Sequence, residues 1–155
     1  MISPELLRHY PFFRALDDTQ LRSIAMIAEE EAVNAETTLF REEQTADALY
    51  FLEDGRIDLY YTINKSLRAE LRKGIPVGEI NPGEPFSISA LIEPYLLSST
   101  AYVSRPSRII KIDAKELRNL FAKDQKLAYL LTYQAAKAAI ERLHMTRVQL
   151  AAVWA

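Results

Sequence analysis

Hydrophobic positions in the first 29 residues follow a helical period. Ser3-Pro4-Glu5 combines a capping hydroxyl, a proline at the first helical position and an acid in the first turn, which together favour a helix start. After Asp17 and Asp18, which can cap a second helix, apolar residues recur at helical spacing at Leu21, Ile24, Ala25, Ile27 and Ala28. The pattern predicts a short helix ending at about Arg8 and a second helix with one buried face.

Alternating apolar and polar positions then predict seven or eight short strands. They fall at 31–33, 37–41, 48–52, 56–63, 69–72, 77–80, 99–104 and 108–112. Asp54-Gly55 predicts a tight turn that joins two of these strands into a hairpin, and Arg105-Pro106-Ser107 predicts a turn between the last two. Many short strands with Gly and Pro turns are typical of a sandwich or a jelly-roll barrel.

The last forty residues return to helical spacing. Asp113 can cap a helix over 114–122, with Glu116 completing a capping box. From Gln125 to about Val153 there is no Gly or Pro, which predicts one long helix.

The long helix has two apolar faces. The first is expected to lie on the barrel and consists of Leu127, Leu131, Ala135 and Ala138. A second set, spaced by four and three, forms a heptad seam with one charged member: Ala136, Ile140, Leu143, Arg147, Leu150 and Trp154. The seam predicts a homodimer; the alternative is a helix folded wholly back on its own barrel.

Composition excludes several classes of function. The 155 residues suit a single domain with a full hydrophobic core, and the net charge of −2 gives no basic footprint for nucleic acid or an anionic membrane. The chain has no Cys, so disulfides, thiolate catalysis and Cys-ligated metals are excluded. His9 and His144 are far apart, so neither a metal nor another cofactor is expected. Without a signal segment or an apolar run of about 20 residues, we expect a cytoplasmic protein.

The candidate binding chemistry lies in residues 83–100. Ser87 is predicted to cap a helical turn over Ile88 to Ile92, whose free amides could bind a phosphate or carboxylate. Three hydroxyls follow in Ser98-Ser99-Thr100. On the residues alone, the alternative is an ordinary serine-bearing connection between two strands.

This segment resembles the phosphate-binding cassette of the cyclic nucleotide-binding domain family, which includes the sensor domains of catabolite-activator-type regulators and the regulatory subunits of cyclic-AMP-dependent kinase. The family cassette runs Gly-Asp/Glu-x-Phe-Gly-Glu-x-Ala-Leu and then Arg-x-Ala-Thr/Ser. The family's second Gly falls at Ser87, its ribose-binding Glu at Ile88 and its phosphate-binding Arg at Leu97. The matching positions are Gly83, Glu84, Phe86, Ala90, Leu91, Ser99 and Thr100.

The resemblance implies an α+β fold in which one domain spans the chain. A jelly-roll barrel over 30–112 would carry the cassette at 83–100, with N-terminal helices in 1–29 and C-terminal helices in 113–155. The long C-terminal helix would then be the dimer helix, and the DNA-binding helix-turn-helix module of the bacterial regulators is not expected in these residues.

We therefore expect a regulatory ligand-sensing or interaction module and not an enzyme. Replacing the two ligand-binding side chains would lower the affinity for cyclic AMP or cyclic GMP by roughly two to four orders of magnitude, because each contact to a charged group contributes about 1.5–3 kcal/mol. A small or anionic ligand of unknown identity is expected instead. The alternatives are a ligand-free structural or dimerisation domain and a cupin-type metalloenzyme. The residues expected to line the pocket are Phe86, Ser87, Ile88, Ser89, Ala90, Leu97, Ser98, Ser99 and Thr100.

Overall fold

The computed structural model describes residues 1–62 and 74–155. Its helices are α1 (Pro4–Arg8), α2 (Asp18–Met26), α3 (Ala114–Lys123) and α4 (Gln125–Val153), with a 3₁₀ turn at Pro11–Phe13. Each α-helix begins at a side-chain cap, because Ser3, Asp17, Asp113 and Asp124 accept hydrogen bonds from backbone amides of the first turn. The capping signals thus mark the starts of these four α-helices correctly, although the described hydrogen bonds contain only half of the capping box predicted for Asp113 and Glu116.

The strands form an antiparallel sheet, in which six strands lie within the described residues. They are β1 (Ala28–Val33), β2 (Thr37–Phe40), β3 (Ala48–Tyr61), β4 (Ile75–Ile80), β5 (Pro85–Phe86) and β6 (Thr100–Asp113). The order is β1-β6-β3-β4, with β2 pairing β6 and β5 pairing β3. The central pair runs from Ala48 opposite Asp113 to Tyr60 opposite Thr100. The strand predicted at 69–72 and the end of the one predicted at 56–63 lie outside the described residues.

The hairpin predicted at Asp54-Gly55 is wrong, and so is the turn predicted at 105–107. Both segments lie inside long strands, where β3 and β6 pass each other with register shifts. The Ser107 hydroxyl holds this irregularity together: it accepts from the Arg56 amide at 3.0 Å and donates to the Arg105 carbonyl at 2.7 Å. Gly and Pro here mark bulges that bend two long strands rather than turns that end short ones.

Two apolar clusters lie on opposite faces of the central strands. Along β3, Leu49 and Phe51 face the helices, whereas Tyr50 and Leu52 face the other cluster. This alternation follows from the period of two in a strand. On the helix side, the rings of Tyr10, Phe12 and Phe13 surround Phe51, with centroids 5.0–5.5 Å away. The sheet is therefore fixed to the N-terminal helices by an aromatic cluster.

The two faces of α4 have different surroundings. Leu127, Leu131 and Ala135 are buried against the body of the protein, as the spacing predicts. The predicted seam lies on the opposite face, about 140° around the helix, and is exposed along its whole length. The seam residues are therefore not buried by the chain's own barrel. In the described part of the chain, no helix is both long and apolar enough to cross a bilayer.

Candidate ligand-binding site

The cassette begins with β5 and a sharp change of backbone direction at Ser87. Ser87 has φ 61°, in the left-handed region where glycine is the residue normally favoured, and the resemblance places a glycine at this position. Its hydroxyl donates to the Ala48 carbonyl at 2.7 Å and does not cap the following turn. That turn is a four-residue 3₁₀ helix, Ile88–Leu91. The predicted cap at Ser87 and the predicted extension to Ile92 are therefore wrong.

The second half of the cassette is bound to the segment that follows β2. The Leu97 amide donates to the Gln44 carbonyl, and the Leu97 carbonyl accepts from the Glu43 amide, both at 2.8 Å. The Leu97 side chain is only 6% exposed and packs in a small cluster with Ala46, Ala90 and Ala114. A leucine at this position thus completes an apolar cluster.

A cavity of about 220 Å³ lies between the cassette and α4. The predicted residues Phe86 and Ala90 are buried beneath its wall, and the Thr100 hydroxyl accepts from the Glu42 amide at 3.2 Å, so these three do not line it. Six of the nine predicted residues do: Ser87, Ile88, Ser89, Leu97, Ser98 and Ser99. The sequence analysis missed the rest of the wall, which is Phe40 and Leu59 from the sheet and Ala139, Arg142, Leu143 and Thr146 from α4.

Arg142 lines this cavity and also a larger groove between α4 and the sheet, so its positive charge is shared by the two. Its guanidinium donates to the Pro85 carbonyl at 3.1 Å and is half-buried. Burial lowers the pKa of Arg142, and the nearby carboxylates of Glu84 and Glu141 oppose that shift. A signal for it exists in the sequence, since Arg142 continues the spacing of the buried face beyond Ala138. A charged residue on a buried helical face indicates that a hydrogen-bonding or oppositely charged group lies next to it.

The sequence profile of the cyclic nucleotide-binding domain family matches residues 30–124, from the sheet through the cassette to α3. The chain belongs to the cyclic nucleotide-binding domain family. Its antiparallel sheet, N-terminal helices and long C-terminal helix are the jelly-roll architecture of this family. The protein is thus of a regulatory, ligand-sensing type, and such domains are in general not enzymes.

Solved structures support the same assignment. A candidate cyclic nucleotide-binding protein from Geobacter metallireducens is 36% identical, with a TM-score of 0.81 over 93% of this chain and 100% of the other. The N-terminal domain of a transcriptional regulator from Streptomyces coelicolor is 22% identical, with a TM-score of 0.67 over 88% and 93% of the two chains. The regulatory domain of Toxoplasma gondii cyclic-AMP-dependent kinase, crystallised with cyclic AMP, is 20% identical, with a TM-score of 0.63 over 75% and 42%. The last two show the fold alone. No curated protein matches the chain significantly.

In this cyclic nucleotide-binding domain, each of the two C-terminal helices hydrogen-bonds one backbone carbonyl of the cassette. Arg142 on α4 donates to the Pro85 carbonyl. Arg118 on α3 donates to the Ala90 carbonyl at 2.9 Å, and its guanidinium carbon lies 4.2 Å from the centroid of the Tyr95 ring. The cassette is therefore bound to both helices that follow the sheet.

Replacing Arg118 by methionine should destabilise the protein by about 2–3 kcal/mol, because a charged hydrogen bond and a cation–π contact are lost together. Urea unfolding at one fixed protein concentration measures this. Lys115, exposed on the same helix, supplies the control: Lys115→Met should change the free energy of unfolding by no more than about 0.5 kcal/mol. Equal effects of the two substitutions would show that Arg118 does not fasten the cassette.

A second, larger groove of about 1220 Å³ runs between α4 and strands β3 to β5. Charged residues of both signs line it, among them Arg56 and Glu79 on the strands and Lys137 and Glu141 on α4, and His144 lies beside them. His9, by contrast, lies at the end of α1. No group of three or more potential metal ligands occurs in 1–62 and 74–155.

Proposed function

We propose that this protein is a ligand-sensing module that does not bind cyclic AMP or cyclic GMP in the usual way and that acts through α4 on a second copy of the chain. The observation that carries the proposal is the double use of α4. One side of this helix closes the cavity at the cassette, and a largely apolar seam on its other side is exposed, with Leu143 at the border belonging to both.

The substitutions in the cassette support the first part of the proposal. Ile88 and Leu97, which stand where the family has its ribose-binding Glu and phosphate-binding Arg, both line the cavity. No carboxylate is among the described residues that line it. Arg142 does not stand at the position of the missing arginine, since it comes from α4 and not from the cassette.

The seam supports the second part. Tyr129 and Tyr133 precede Ala136 at the same spacing, so eight exposed positions from Tyr129 to Trp154 alternate by four and three over about 37 Å. In heptad terms, Ile140 occupies an a position, whereas Leu143 and Leu150 occupy d positions. This combination favours parallel two-stranded coiled coils.

Contact between the cavity and α4 supplies a route for sensing. A ligand that touches Arg142, Leu143 and Thr146 touches the helix that carries the seam. Because a ligand shifts a conformational equilibrium only by its differential affinity for the two states, direct contact with α4 is the simplest source of that difference.

The alternative of a ligand-free dimerisation domain rests on the burial of Leu97, whose side chain fills part of the cassette. The cavity nevertheless remains beside Leu97, and it contains several hydroxyls and a guanidinium. The hydroxyls of Ser89, Ser98 and Ser99 have no side-chain hydrogen bond within the described residues, so they can bind a ligand. We therefore favour sensing.

Cysteine cross-linking tests the proposed dimer helix, and the absence of native Cys makes it specific. In a parallel dimer, the d positions of the two chains face each other, so Leu150→Cys should form an intermolecular disulfide under mild oxidation and run at twice 17.7 kDa without reductant. Val148 is also exposed but lies about 120° from the seam, so Val148→Cys should stay mainly uncross-linked. Equal cross-linking of both variants, or of neither, would count against the proposal.

A further inference from the structure

We propose that the ligand of the 220 Å³ cavity is a small hydroxylated monoanion, such as a four-carbon hydroxy acid, whose carboxylate pairs with Arg142. The inference rests on the proposed sensing function and specifies its ligand class. Size, charge and the hydroxyl groups of the cavity wall each point to this class.

The volume limits the ligand to a small molecule. Ligand pockets commonly measure about 300–1,000 Å³, so this cavity lies below the usual range. Its size favours a short-chain acid over a purine nucleotide.

The charges around the cavity favour one negative charge on the ligand. Arg142 is the one charged residue among the described residues of the wall, so a cationic ligand would find no counter-charge there. In the part of the chain that the structure describes, the guanidinium has a single side-chain hydrogen bond, to the Pro85 carbonyl, and its planar fork suits a carboxylate. Glu84 and Glu141 line the larger groove that Arg142 also lines, so a ligand with a second negative charge would meet repulsion from these carboxylates.

The hydroxyls in the wall match a ligand with hydroxyls of its own. Ser87 and Thr146 donate their protons to the carbonyls of Ala48 and Arg142, so both present acceptor lone pairs to the cavity. The hydroxyls of Ser89, Ser98 and Ser99 have no side-chain hydrogen bond within the described residues, and each can donate or accept.

The remaining wall is apolar. Phe40, Leu59, Leu97 and Leu143 can cover a short carbon chain. A polar ligand with a carbon backbone therefore satisfies both parts of the wall.

Calorimetric titration of the full chain with sodium D-erythronate tests the inference, with erythritol as the uncharged probe of the same carbon skeleton. We expect erythronate to bind at millimolar concentration or tighter, and at least tenfold more tightly than erythritol. Arg142→Gln should lower the affinity for erythronate by roughly tenfold to a hundredfold, because a charge-assisted ion pair is lost. The affinity for erythritol should stay unchanged. Lys126→Gln removes a charge from the same helix outside both the cavity and the seam and should leave both affinities unchanged.

Three results would overturn the inference: no binding of erythronate to folded protein, equal affinity for the charged and uncharged probes, or an undiminished affinity in Arg142→Gln. Circular dichroism establishes that each variant is folded. These results are distinguishable from failure of the proposed function, since Leu150→Cys cross-linking reports on the dimer helix independently of any ligand. Cross-linking with no erythronate binding would reject the ligand class alone.

Discussion

Replacing Ile140 by glutamate should convert the protein from a dimer into a monomer. Ile140 is 67% exposed in the single chain and occupies an a position near the middle of the seam, where each chain of a parallel dimer would contribute the same residue. The substitution would bury two like charges beside each other. If each chain loses about 2 kcal/mol of dimerisation free energy, the dissociation constant of the dimer rises roughly a thousandfold. Light scattering at micromolar concentration should give about 35 kDa for the wild type, twice 17.7 kDa, and about 18 kDa for the variant.

Val148→Glu is the matched control for this prediction. Val148 is 49% exposed on the same helix but lies away from the seam, so this variant should keep the wild-type mass. A wild-type mass of 18 kDa would contradict dimerisation itself. Dissociation by both substitutions would mean that the two chains meet through a different face of α4.

Replacing Gly55 by alanine should lower the free energy of unfolding by about 3–5 kcal/mol. Gly55 has φ 113°, a conformation that L side chains rarely adopt, and a β carbon there would lie 2.0 Å from the Ser107 Oγ and 2.6 Å from the Ser107 Cα. Backbone strain and overpacking each cost about 1–3 kcal/mol. The clash would also displace the hydroxyl that bonds Arg56 and Arg105. Urea unfolding with all variants at one protein concentration provides the measurement.

Gly78 in β4 is the matched control for Gly55. A β carbon at Gly78 would have no neighbour within 4 Å, and its backbone is not in the left-handed region. Gly78→Ala should therefore change stability by no more than about 0.5 kcal/mol. If both substitutions had the same small effect, the close pairing of β3 and β6 at Ser107 would be wrong.

The helices were predictable from sequence because their signals are local. Caps such as Asp17 and Asp113 act within one turn, and the buried face of α4 is visible in its spacing. The hairpin at Asp54-Gly55 failed because its local signal was outweighed by the pairing of β3 with β6, whose paired residues are at least forty positions apart in sequence. Long-range strand pairing of this kind has no marker in a single segment.

The candidate site was predictable only in part for a related reason. The cassette is continuous in sequence, and most of its predicted residues do face the cavity. The wall from α4 comes from residues about fifty positions later, so Arg142 and Thr146 enter the site only through the path of the helix. The charge and much of the hydrogen-bonding capacity of the cavity therefore depend on tertiary structure.

Titration of the wild-type protein with cyclic AMP and cyclic GMP tests most directly the central claim that this sensor does not use those messengers. With Ile88 and Leu97 in place of an acid and an arginine, we predict no saturable heat up to millimolar nucleotide. Binding at micromolar concentration or tighter would contradict the account, since other groups of the protein would then have to hold the ribose and the phosphate.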